Sequence, residues 1–149
     1  MREEDLASAG PASGPATPVT TAASARAHAR AVVAARWDPS VRPAREEDVI
    51  DLLLVVSELV ANALRHGGGL AGFELTPVRD GIRLAVHDHS DDVPATAHGP
   101  GFLSAGQRTG GYGWPLVVRL AREITVEKRP TGGKTISVFV PVRATGRPD

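Results

Sequence analysis

Glu58, Asn62 and His66 fall at i, i+4 and i+8 of a stretch that is otherwise almost wholly apolar, Asp48-Val-Ile-Asp-Leu-Leu-Leu-Val-Val-Ser-Glu-Leu-Val-Ala-Asn-Ala-Leu-Arg-His66. On a helix this spacing puts the three on one line, with Asp51 two turns before Glu58 on nearly the same line. A carboxylate there can take the proton of an attacking hydroxyl or water. An amide one turn further on offers a neutral oxygen to Mg²⁺, which keeps several waters and takes few protein ligands beside phosphate oxygens. The plainer reading is a glutamate at a solvent edge and a satisfied core amide, and the helix alone leaves both open. A buried polar line needs partners, because an unpaired buried carboxylate is costly.

Two further breaks in pattern bear on the choice. Ile82, Leu84 and Val86 alternate with Arg83 and Ala85, and the strand period of two puts Asp88 on the apolar face. A carboxylate closing a core-facing row can accept a hydrogen bond from the exocyclic amine of a buried base. The third break is Arg108-Thr-Gly-Gly-Tyr-Gly113, which feeds Trp114-Pro115-Leu-Val-Val-Arg-Leu-Ala121. Glycines leading into a helix N-terminus leave backbone N–H groups and the dipole facing an anion. They also serve as a plain turn and cap. The run lacks the Lys-Ser/Thr ending of a P-loop and follows a long loop, unlike a dinucleotide fingerprint. His87, His89, Asp91 and Asp92 suggest a metal, but alternation sends both histidines to the face opposite Asp88, and His98 is no convincing third ligand. No serine sits on a nucleophile elbow.

The elements that must position these groups follow from periodicity. Leu52, Val56, Leu59 and Ala63 recur at helical spacing, with Asp48 as N-cap and Gly67-Gly68-Gly69 as the stop. Because nearly every direction from Val49 to Leu64 is apolar, this helix is expected to be mostly buried. Residues 20–37 are Ala-rich and predict an earlier helix, ended by Asp38-Pro39. Strands are predicted over 70–78 and 82–88 around an Asp80-Gly81 turn, and over 123–129 and 134–142 around Pro130-Thr-Gly-Gly133. Residues 89–109 have no periodicity and read as a lid. Helices grouped together, with strands joined as hairpins, predict a two-layer α/β sandwich. Its sheet should be mixed and mostly antiparallel, covered on one face by helices. Residues 1–18 and 144–149 are expected to be disordered tails around one domain over 19–143.

Composition narrows the classes. The 149 residues carry 17 basic and 17 acidic side chains, so no global field favours nucleic acid or an acidic membrane surface. Cysteine is absent, which rules out disulfides and thiolate metal sites. No apolar run reaches bilayer-spanning length, and Glu3, Glu4 and Asp5 do not suit a signal peptide. The expectation is a cytoplasmic protein with no direct nucleic-acid or membrane partner.

Glu58-Leu-Val-Ala-Asn62-Ala-Leu-Arg-His66 resembles the N-box of the GHKL (Bergerat-fold) ATPases. Val86-His-Asp88-His-Ser90, continuing to Pro94, resembles their adenine-recognition box. Gly111-Tyr-Gly113-Trp-Pro-Leu-Val117 resembles the glycine box at the lid end, and Gly132-Gly-Lys-Thr135 the last, threonine-bearing box. Order and spacing agree from about Thr20 to Val142. The compact form, lacking a phospho-accepting histidine domain, is similar to anti-sigma factor serine/threonine kinases, ATP-binding regulators of a type frequent in actinobacteria. The resemblance implies ATP and Mg²⁺ as cofactors, with Asn62 as metal ligand, Glu58 as catalytic base and Asp88 on the adenine amine. Gly111 and Gly113 would form the phosphate-closing hinge, and Thr135 would reach the adenine edge through a water. His66, Arg108, Tyr112 and Trp114 come with the motifs as nucleotide-binding residues. It implies an anti-anti-sigma (STAS-type) protein and a sigma factor as partners, and leaves a homodimer open. A non-catalytic, nucleotide-gated binding module is the rival reading. Three departures stand out. Ser90 and Asp92 replace glycines of the adenine box, and Arg108 lies one residue from the phosphate-binding arginine of the kinases.

Overall fold

The computed structural model describes residues 18–92 and 113–146. Thr21 starts the first helix, α1 (Ala22–Arg36): its hydroxyl accepts from the Ser24 N–H, and the Ser24 hydroxyl accepts from the Thr21 N–H, both at 3.0 Å. Asp38 closes the turn after the helix, accepting from the N–H and hydroxyl of Ser40, each at 2.8 Å. Small buried residues, Ala25 and Ala29, let α1 lie close against its neighbour.

That neighbour is the central helix, α2 (Glu46–His66), which begins earlier than Asp48 suggested. Arg45 holds the N-cap place, and Asp48 is not a cap. Its carboxylate is buried and accepts from the Arg143 backbone N–H at 2.9 Å and from the Arg143 guanidinium at 3.3 Å. This ties the start of α2 to the chain beyond the last strand. Two residues expected in the C-terminal tail are held there too: Ala144 bridges Ala44, and the Thr145 N–H donates to the Pro43 carbonyl at 2.8 Å.

Helix α2 packs between α1 and a third helix, α3 (Gly113–Leu120), and lies over the sheet. Leu52, Val55, Val56, Leu59 and Val60 are all but fully buried beneath it. Each contributes about 1.5–3 kcal/mol of burial before entropy is charged, so packing sets where the helix sits. The outer side stays in water: Ile50, Leu54 and Leu64 are 49%, 40% and 44% exposed. The all-round apolar pattern therefore overstated the burial of this helix.

Four strands follow: β1 (Leu70–Val78), β2 (Gly81–Asp88), β3 (Arg122–Lys128) and β4 (Lys134–Pro141). They pair in the order β1-β2-β4-β3, and every pairing among the described residues is antiparallel. The core face of the central pair reads Ile82 opposite Val140, Leu84 opposite Val138 and Val86 opposite Ile136. The β1–β2 turn consists of Arg79 and Asp80, with Gly81 already paired to Val78. Gly81 is needed for close approach instead: a Cβ there would lie 2.2 Å from the Val140 carbonyl oxygen. The expected two-layer sandwich, helices over one face of the sheet, is what forms.

Candidate functional site

Asp88 ends β2 at the rim of the core face, the residue 3% exposed. Directly across the strand pair stands Lys134, the first residue of β4 and 5% exposed. Its ammonium donates to Asp88 Oδ2 at 2.9 Å and Oδ1 at 3.2 Å. Oδ1 also accepts from the Ser90 N–H at 2.9 Å, and the Lys134 ammonium lies 3.4 Å from the Ser90 carbonyl oxygen. A buried charge survives only when paired and hydrogen-bonded, and both conditions are met here.

Two glycines let backbone close around this carboxylate. A Cβ on Gly67, at the end of α2, would lie 2.6 Å from Asp88 Oδ2. A Cβ on Gly133 would lie 2.0 Å from the Asp88 carbonyl oxygen, and Gly133 is held at φ +86°. The His89 N–H donates to the Gly67 carbonyl at 2.9 Å, locking the helix end to the strand end. Asp91 accepts from the Gly133 N–H at 2.9 Å, and the Ser90 hydroxyl from the Asp92 N–H at 3.0 Å. The residues that replace two adenine-box glycines thus build the turn below Asp88.

From Gly67 the polar line runs back along α2. At 1.5 Å per residue Asn62 is about 7 Å and Glu58 about 13 Å along the axis from that glycine. Both are half-buried, and neither side chain bonds to any other described residue. Arg26 of α1 donates to Ser57 at 3.1 Å, and Glu58 and Asn62 stand about 100° and 140° round the helix from Ser57, away from α1. His66 is exposed at the helix end. Asp51 belongs elsewhere: burial first, then the charges of Asp48 and Glu47, push its carboxyl above the ordinary range. It sits with the acidic start of the helix.

Thr135 does not reach this side of the sheet. It pairs across the strands with His87, on the face opposite Asp88, its hydroxyl 2.6 Å from His87 Nδ1. The residue of the last box on the Asp88 side of the sheet is Lys134. Its place in one row with Ile136, Val138 and Val140 sets the face it points to, but not that its ammonium stays buried there. Trp114, in the first turn of α3, is buried, and its indole N–H finds no acceptor among the described residues. Gly113 opens that helix, whereas Arg108, Gly111, Tyr112 and nearly all of the predicted lid lie outside the described residues.

Residues 15–139 match the model of the histidine kinase-like ATPase domain. The chain belongs to this family. No curated protein and no solved structure matches the chain. As a histidine kinase-like ATPase domain of the GHKL type, it has ATP as the ligand its family implies. The residues present fit that ligand. Asp88 is a carboxylate acceptor with one lone pair unused among the described residues, and Asn62 is a half-buried amide without a described partner, suited to hold Mg²⁺ through its oxygen.

Proposed function

We propose that this domain binds Mg²⁺–ATP along the Asp88–Asn62–Glu58 line and phosphorylates a serine or threonine of an anti-anti-sigma (STAS-type) partner. It thereby controls a sigma factor in the cytoplasm. The observation that supports this most directly is the line itself: an anchored carboxylate at one end, then an amide and a second carboxylate, both half-buried and unpaired among the described residues. No described helix is long and apolar enough to cross a membrane.

In this reading Asp88 accepts the adenine amine and so orients the nucleotide along α2. Asn62 would hold Mg²⁺, which when bound neutralises phosphate charge. Glu58 takes the proton of the partner's hydroxyl as that oxygen bonds to the γ-phosphorus, and the bond to the β–γ bridging oxygen breaks to release ADP. Such transfer needs mainly positioning and charge stabilisation, which a rigid helix supplies.

The test is transfer from labelled ATP to a STAS-type partner co-purified from the native cell. Glu58→Gln keeps the shape of the helix and should hold ATP affinity within a few fold, while transfer falls by about a hundredfold or more. Asn62→Ala should lose both Mg²⁺-dependent binding and transfer. Transfer by E58Q at the parental rate removes Glu58 as the base. If the parent transfers to no partner, yet ATP changes which partner it captures, the non-catalytic module is the correct reading.

A further inference from the structure

The proposed transfer does not use Lys134, yet it is the most deeply buried cation among the described residues and touches the group that would read the base. Its cost needs an explanation, because desolvating an ammonium is as unfavourable as desolvating a carboxylate. A carboxylate has about four lone-pair positions. At Asp88 three are taken: Oδ1 by the Ser90 N–H and by Lys134, Oδ2 by Lys134. One remains on Oδ2, the oxygen packed against the Gly67 backbone, where a Cβ would lie 2.6 Å from it.

We propose that Lys134 is a positioning residue that sets base specificity: it keeps Asp88 an acceptor-only carboxylate with one free lone pair, so that the pocket selects a purine bearing an exocyclic amine at C6. This deepens the nucleotide reading above and rests on it. An ionised Asp88 matches the N–H of such an amine. A protonated Asp88 presents a hydroxyl donor, which opposes an amine and matches the C6 carbonyl of hypoxanthine. Without the ammonium, a carboxyl this deeply buried takes up a proton more readily, since burial penalises the charged form.

Other charged groups stand around the pair. Arg129 donates to the Asp88 backbone carbonyl at 3.3 Å, and the Asp91 carboxylate is engaged by Gly133. His89 follows Asp88 in the chain, and His66 ends α2, both exposed. These four, and Lys128 across the β3–β4 pair from Lys134, remain when Lys134 is replaced and meet both nucleotides alike, so the ratio of ATP to inosine triphosphate affinity at each pH isolates the group that reads the base.

The experiment measures ATP and inosine triphosphate binding by calorimetry from pH 5.5 to 8.5, for the parent, Lys134→Met and Lys134→Arg. In K134M, ATP affinity relative to the parent should fall at least tenfold at pH 5.5 and recover toward pH 8.5. Inosine triphosphate should lose far less, so base preference collapses in acid; K134R should stay within a few fold throughout. A merely structural lysine would weaken both nucleotides by one factor at every pH, and that result, or no change, overturns the inference. If K134M does not fold, Lys134→Gln, with a donor but no charge, carries the same comparison.

A parent that binds neither nucleotide overturns the nucleotide reading and, with it, the specificity claim. The charge-holding claim is then decided by urea unfolding without ligand. In K134M the folded state binds the Asp88 proton more tightly than the unfolded chain does. Its deficit in stability against the parent should therefore be smallest at pH 5.5 and widen as pH rises. A pH-independent difference overturns that claim as well.

Discussion

Gly133 is where the fold around Asp88 can be tested with one methyl group. It sits at φ +86° with its Cα facing the Asp88 carbonyl, and a Cβ would lie 2.0 Å from that oxygen and 3.0 Å from the His89 Cα. Its neighbour Gly132 has φ +106° and nothing within 4 Å of the corresponding position. Alanine at either site bears the left-handed backbone cost, about 1–2 kcal/mol. Only at Gly133 does it also meet backbone, which cannot swing aside as a side-chain tip can. Forcing extra carbon into such a contact typically costs about 1–3 kcal/mol. Gly133→Ala should therefore lose roughly 2–5 kcal/mol and Gly132→Ala roughly 1–2 kcal/mol. At roughly 2–4 °C per kcal/mol for a domain of this size, G133A should melt roughly 2–12 °C below G132A in calorimetry. The strand that must move carries Lys134, so G133A should also weaken ATP binding more than G132A does. Equal melting temperatures for the two variants would refute the close approach of β4 to the end of β2.

Three further outcomes are expected. Asp51 has its folded-state proton affinity raised, by burial and then by Asp48 and Glu47, so its stabilising effect is full in acid and is lost as pH rises. Asp51→Asn should stabilise the protein at pH 7 in urea unfolding, with the gain shrinking toward pH 4; a gain independent of pH would refute the charge argument. Asp48→Ala leaves the Arg143 backbone N–H without its acceptor, while the largely exposed guanidinium keeps its water, so a loss of about 1–3 kcal/mol is expected from the same measurement. In a Trp37→Phe background, where Trp114 is the sole indole, saturating ATP should change the fluorescence; an unchanged spectrum would mean that the unpaired indole N–H does not report on the site.

Periodicity and punctuation carried much of this in the sequence. The end of α2 at His66, the limits of β1 and the placement of Asp88 with Ile82, Leu84 and Val86 all follow from local rules, because side-chain direction is fixed by the residue's own element. The same rule places Lys134 beside Ile136 and Val138. A lysine heading an apolar row ordinarily extends its ammonium into water, so nothing local distinguished it from a surface residue. What singles it out is register: β2 and β4 pair so that Asp88 faces Lys134, 46 positions away, and Thr135 falls to the other face with His87. Asp48 follows the same logic. Its position before an apolar run suggested a cap, but its acceptors are used 95 positions away, by Arg143. Local sequence determines which way a side chain points; only the paired sheet, with α2 laid over it, decides what it meets.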